Sequence, residues 1–161
     1  MQKHVSLRAA IVAMAPDLAR DPDRLRMWID KGGIRARQTA SADFGWRYTL
    51  TLLIAEYTGH PSLIMLAINQ WLRANQPDLL QPGREESYRF EAEILDSQAV
   101  DLLIELDLAE EALVTPAPGG GWTIEHPGEP VLLPDDLPLT DPGALLAEYG
   151  VPGVVLGGAD V

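Results

Sequence analysis

Three histidines, His4, His60 and His126, are the first place to look for chemistry. None stands at the H-x-x-x-H or H-E-x-x-H spacing that sets two imidazoles on one helix face. Glu56 and His60 are four residues apart, but two ligands without a cysteine are weak grounds for a zinc centre. His60 precedes Pro61 at an expected helix start, where capping or packing accounts for it. His126 lies in the turn-like Glu125-His126-Pro127. The carboxylates Glu91, Glu93, Glu105 and Asp107 fall on the outward positions of expected strands. Paired carboxylates do acid–base work only where burial drives their pKa values apart, and an exposed acidic stripe is the simpler reading. Gly119-Gly120-Gly121 lacks the Lys-Ser/Thr and the following helix of a phosphate loop. Ser6, Ser41, Ser62, Ser87 and Ser97 have no nucleophile-elbow context. The chain has no cysteine, which excludes a disulfide framework and thiolate chemistry. The expectation is a protein that is not an enzyme, with no cofactor and no metal.

Surface contact is the remaining kind of chemistry, and charge shapes it. The net charge is −12, and all 12 basic residues lie at or before Arg89. Residues 1–89 carry 9 acidic residues; residues 90–161 carry 15 acidic and no basic ones. Phosphate recognition needs Lys and Arg, so the second part is unsuited to nucleic acid, and no sequence-specific nucleic-acid binding is expected. One copy's basic part can instead meet a neighbour's acidic part; a plain solvated acidic surface is the alternative. Arg35, Arg37 and Arg47 are the best candidates for the basic side. Trp28 and Trp71 sit on apolar helical stripes and read as core. Trp46 and Trp122 stand at element edges and read as interface anchors. No run of about 20 apolar residues exists, so no membrane partner is expected.

The elements that must position these residues read as α+β: a mixed or antiparallel sheet with helices on one face, followed by an extended Pro/Gly-rich C-terminal arm. A first helix is expected from Ser6, a good N-cap, to Met14, with Leu7, Ala10, Ile11 and Met14 at helical spacing. Asp21-Pro22 then opens a second helix burying Leu25, Trp28 and Ile29, which Gly32-Gly33 stops. Residues 34–43 read as a loop. Trp46 to Tyr57 alternates as a strand, with Trp46, Tyr48, Leu50, Leu52 and Ile54 on one face. Pro61 opens a third helix to about Asn75, with the stripe Leu63, Ile64, Ala67, Ile68 and Trp71. A strand from Ser87 to Leu95 puts Tyr88, Phe90, Ala92 and Ile94 on the buried face. The next, Val100 to Leu108, does the same with Val100, Leu102, Ile104, Leu106 and Leu108. Since all these apolar positions are even-numbered, a hairpin between the two strands needs a loop of odd length, three or five residues. A further strand near Ala112 to Thr115 follows a bulge around Ala109 to Glu111, and Trp122 to Glu125 returns as a short hairpin arm.

Residues 116–161 hold 8 of the 13 prolines and 9 of the 14 glycines. This divides the chain into an α+β domain, residues 1–127, and an extended acidic arm, residues 128–161, with at most a short helical turn at Ala144 to Tyr149. The arm's apolar residues, Leu145 and Tyr149 among them, are spaced between prolines as in a strap that docks on another surface.

An ordered series of segments carries a resemblance. It runs through Ser6-Leu7-Arg8-Ala9-Ala10, Asp21-Pro22-Asp23-Arg24-Leu25-Arg26-Met27-Trp28-Ile29-Asp30-Lys31-Gly32, Phe44-Gly45-Trp46-Arg47-Tyr48-Thr49-Leu50 and Thr58-Gly59. It ends in Trp71-Leu72-Arg73-Ala74-Asn75-Gln76-Pro77-Asp78, then Phe90 and Glu129-Pro130. Over roughly residues 4–130 the chain resembles the tail completion protein R (GpR) family of contractile-tailed phages and tail-like bacteriocins; residues 131–161 do not. The resemblance implies a structural virion protein made in the bacterial host cytoplasm and placed at the head-proximal end of a tail. There it caps tube and sheath growth as a ring of its own copies, a hexamer, and offers a surface to the head–tail connector. It transfers no catalytic residue. An assembly adaptor or chaperone absent from the finished particle is the alternative.

Overall fold

A computed structural model describes residues 1–95 and 98–129. Its frame is an antiparallel sheet built from β1 (Leu25–Ala36), β2 (Phe44–Tyr57), β3 (Arg89–Ile94), β4 (Val100–Pro116) and β5 (Trp122–Glu125). The main path runs β1-β2-β4-β3, and β5 pairs with the far end of β4. The helices are α1 (Lys3–Met14), the single turn α2 (Asp17–Arg20) and α3 (Pro61–Asn75), with 3₁₀ turns at Pro22–Arg24 and Pro77–Leu80.

Alternation in β2 and β4 creates the core. Leu50, Leu52 and Ile54 stand opposite Leu106, Ile104 and Leu102, and all six are buried. The two helices cover this face with Leu7, Ile11 and Met14 from α1 and with Leu63, Ile64, Ala67, Ile68, Trp71 and Leu72 from α3. The α3 stripe is the one its sequence spacing predicts. Pro61 holds its first turn, and His60 Nδ1 accepts the Ser62 N–H at 3.2 Å, so His60 is a cap. Among the described residues the opposite sheet face carries no helix. The β3–β4 hairpin pairs Ile94 with Val100 and Phe90 with Ile104. That leaves five residues between the strands, the odd count that the even-numbered faces require.

Four local expectations fail, each for a physical reason. Asp21-Pro22 opens only a 3₁₀ turn, and the second helix is strand β1, running through residues 34–36 of the expected loop. The segment is apolar at 25, 28 and 29 but also at 25, 27 and 29, and a short apolar run fits both periods. Pairing with β2 decides for the strand. Leu25, Met27 and Ile29 then face the core side, while Trp28 turns to the open face and donates its indole N–H to Asp30 Oδ2 at 3.0 Å. Ser6 does not cap α1, which begins at Lys3; its Oγ accepts from the Trp71 indole at 3.0 Å. No bulge interrupts β4 at 109–111. The β2–β4 register is unbroken from Phe44↔Ala112 to Ile54↔Leu102, so Ala112–Thr115 belongs to β4. Finally, β3 shares the core side of the sheet, yet all six of its residues are exposed. Only the start of α3 comes beside β3, across an open groove. Of the arm expected at residues 128–161, only Gly128 and Glu129 are described; residues 130–161, including the turn expected at Ala144 to Tyr149, lie outside the described residues.

Candidate interaction surface

The segment Trp71-Leu72-Arg73-Ala74-Asn75-Gln76-Pro77-Asp78 carries the strongest resemblance, and Trp71, Asn75, Gln76 and Asp78 spend polar side-chain atoms on the fold. Asn75 Nδ2 donates to the Trp71 carbonyl at 2.9 Å, closing the last turn of α3. Gln76 is buried; its Oε1 accepts from Lys3 Nζ at 2.8 Å and from the Ala109 N–H at 3.1 Å, while its Nε2 donates to Asp78. One amide thus ties α1, α3 and β4 together. Glu110 does the same for the start of α1. Its carboxylate accepts the N–H groups of Gln2 and Lys3 at 2.6 and 3.2 Å and the Tyr48 hydroxyl. A carboxylate at a helix N-terminus satisfies orphan donors and opposes the positive end of the helix dipole. Burial pushes the Glu110 carboxyl up, but the Tyr48 hydroxyl and the two backbone N–H groups outweigh it and hold it below its ordinary value. Burial and the neighbouring carboxylate raise the Tyr48 hydroxyl, which stays a donor.

The Thr58-Gly59 segment has a packing reason too. A Cβ on Gly59 would lie 2.5 Å from the Tyr57 hydroxyl, and burial pushes that phenol up to about 12. Glu56, at φ +50, donates its N–H to Asp101 at 2.7 Å, and Arg24 Nε donates to the Ala55 carbonyl at 3.0 Å. These contacts fix the irregular end of β2.

The four outward carboxylates do not form a pair suited to proton transfer. Arg89 lies between two of them, 3.4 Å from Glu105 and 3.6 Å from Asp107, and Thr49 donates to Asp107 at 2.7 Å. These contacts are exposed and contribute little to stability. Among the described residues no three His, Asp or Glu side chains converge as a metal site.

The exposed candidates for contact are basic and apolar side chains. Arg35 belongs to β1, not to a loop. Arg35 pairs with Gly45 and Gly33 with Arg47, so Arg35 and Arg47 share the open face as diagonal neighbours. Glu111 joins them there: its carboxylate oxygens lie 3.1 and 3.2 Å from where a Gly45 Cβ would be. Arg37 follows the last residue of β1. Trp46 is half-buried on the other face, its ring 5.7 Å from that of Phe44 and its buried indole N–H without a partner among the described residues. Trp122 opens β5 and is 66% exposed. Leu145 and Tyr149 lie outside the described residues.

Sequence reasoning missed one surface. Phe90 is 60% and Ile94 80% exposed, although their register puts them on the core side. With Ala92 they line a groove of about 780 Å³ against His60, Pro61 and Met65 at the start of α3. Alternation marks which face a residue takes, and gives no sign of whether a helix covers it.

A scaffold whose motif residues hold helices to a sheet, with apolar side chains left uncovered, agrees with what sequence comparison finds. Tail completion protein R of Escherichia phage P2 is 34% identical over 143 residues, 85% of this chain and 92% of that protein. No solved structure matches. The pattern of the P2 phage tail completion protein R (GpR) family matches residues 1–130, and the chain belongs to that family.

Proposed function

We propose that this chain is a structural tail protein that completes and caps the head-proximal end of a phage or phage-like tail. It acts as a ring of its own copies, a hexamer, that ends tube and sheath growth and offers a surface to the head–tail connector. The observation that carries this reading is the exposure of Phe90, Ile94, Ile34, Trp122 and Ile124, each more than half exposed. Phe90 and Ile94 stand on the edge strand β3 and Ile34 on the opposite edge strand β1, so large apolar side chains line both free edges, where a strand is a template for contact with another chain. The capping would be steric. A ring that matches the last tube layer on one side and differs on the other leaves no surface for the next layer. Membership of a tail completion family supports the placement in a tail.

The test has two parts: the mass of the protein in solution and its presence in purified particles. A closed multimer, recovered at the upper end of the tail, is the expected result, and particles made without the protein should carry tails of uneven length. Absence from finished particles would make the chain an assembly adaptor instead.

A further inference from the structure

The path β1-β2-β4-β3 leaves two free edges, and among the described residues neither β1 nor β3 has a second strand partner. Free edges are templates for pairing with another chain. Each neighbour on the path is antiparallel to the next, so in a four-strand path β3 runs opposite to β1. A second copy set beside the first in the same orientation therefore offers its β1 antiparallel to the first copy's β3. We propose that copies join this way, β3 of one to β1 of the next, and that this is the contact between subunits of the ring; the inference rests on the ring reading given above.

One register satisfies both faces of all six β3 residues. Phe90 stands beside Ile29, Ala92 beside Met27 and Ile94 beside Leu25, all on the core side. On the open side Arg89 stands beside Asp30, Glu91 beside Trp28 and Glu93 beside Arg26. Neither Glu93 nor Arg26 makes an ion pair among the described residues, so this contact gives each a partner. Arg89 keeps Glu105 and Asp107 and gains Asp30. The exposed apolar side of β3 becomes continuous with the Leu25, Met27 and Ile29 row of the neighbour. A slip of one residue turns every side chain to the wrong face. A slip of two in one direction sets Glu91 beside Asp30, two like charges, and in the other it sets Ile94 beside Asp23. The contact joins two different surfaces, so it is heterologous and builds a ring or an open filament rather than a two-fold dimer; the ring reading above takes the closed case. An isologous β1–β1 pair would leave Phe90 and Ile94 in water.

The chain has no cysteine, which makes cross-linking specific. Arg26→Cys and Glu93→Cys are both exposed substitutions that the register places directly opposite. The full chain carrying both should, on mild oxidation, give a ladder of covalent multimers ending at the ring, in free protein and in purified particles. Either cysteine alone should give none. A Trp28→Cys/Glu93→Cys chain, two residues out of register, should cross-link at least tenfold less. Charge reversal gives the second reading: Arg26→Glu or Glu93→Arg alone weakens the multimer, most at low salt, and the two together restore it. Covalent dimers from a single-cysteine chain would overturn the proposal in favour of like-edge pairing. A multimer by mass with no ladder from the double variant, free or in particles, would overturn the contact and leave the ring standing. A monomer in solution and no ladder in particles would remove both.

Discussion

Glu110 and Gln76 show how two buried polar side chains decide where a helix begins and ends. Glu110 is 6% exposed, and an unpaired carboxylate there would be costly; the donors of Gln2, Lys3 and Tyr48 repay that cost. Its carboxyl is held below the ordinary value of 4.5. A carboxyl lowered by folding stabilises the native state while both states are ionised, and that contribution is lost as pH falls through the folded value. Acidification below about pH 4.5 should therefore lower the melting temperature. Glu110→Gln should cost roughly 2 kcal/mol at pH 7, because an amide presents a donor where the site holds donors already. At pH 3 the gap between the two proteins should narrow. A gap of the same size at both values would mean that ionisation of Glu110 contributes nothing.

The elements carry the next scale of argument, and β4 is central among them. It pairs with three other strands, and Ile104 is fully buried in its middle. Ile104→Asp would place an unpaired carboxylate against α3 and should cost roughly 4 kcal/mol or more, read by chemical denaturation. Near-normal stability would mean the faces are misassigned. The same strand explains what was legible beforehand. A sustained apolar alternation from Val100 to Leu108 has one interpretation, and so does a 15-residue stripe such as α3, bounded by His60-Pro61 and Pro77. Leu25–Asp30 has two interpretations, because six residues fit either period. Only pairing with β2, which lies about twenty residues further on, selects the strand. Glu110 reads as one of the fifteen acidic residues of 90–161 until α1 is laid across the sheet. Arg35 and Arg47 are visible as charges, but their shared face follows from the β1–β2 register.

At the scale of the whole molecule, the proposed assembly should depend on salt, because all 12 basic residues lie at or before Arg89 and residues 90–161 carry none. Reversing Arg35, Arg37 and Arg47 to Glu should leave the melting temperature within a few degrees, since all three are exposed, and should weaken incorporation into tails. The loss should be largest at low salt, as exposed charges are screened over about 8–10 Å at physiological ionic strength. Unchanged incorporation at low salt would remove these arginines from the contact. The arm supplies the last case. Among the described residues the core forms between the β2–β4 face and the helices α1 and α3, and Lys3 Nζ holds Glu129, near the start of the arm, at 3.0 Å. The arm adds acidic charge, no basic residue, and Val131, Leu132, Leu133, Leu145 and Tyr149 set between prolines, which reduce the entropy lost when a segment orders on a partner. Deleting residues 131–161 should therefore leave the melting curve and circular dichroism of the domain unchanged while lowering incorporation into particles. Loss of folding would show that the arm completes its own core. Unchanged incorporation would show a solubilising tail without a partner.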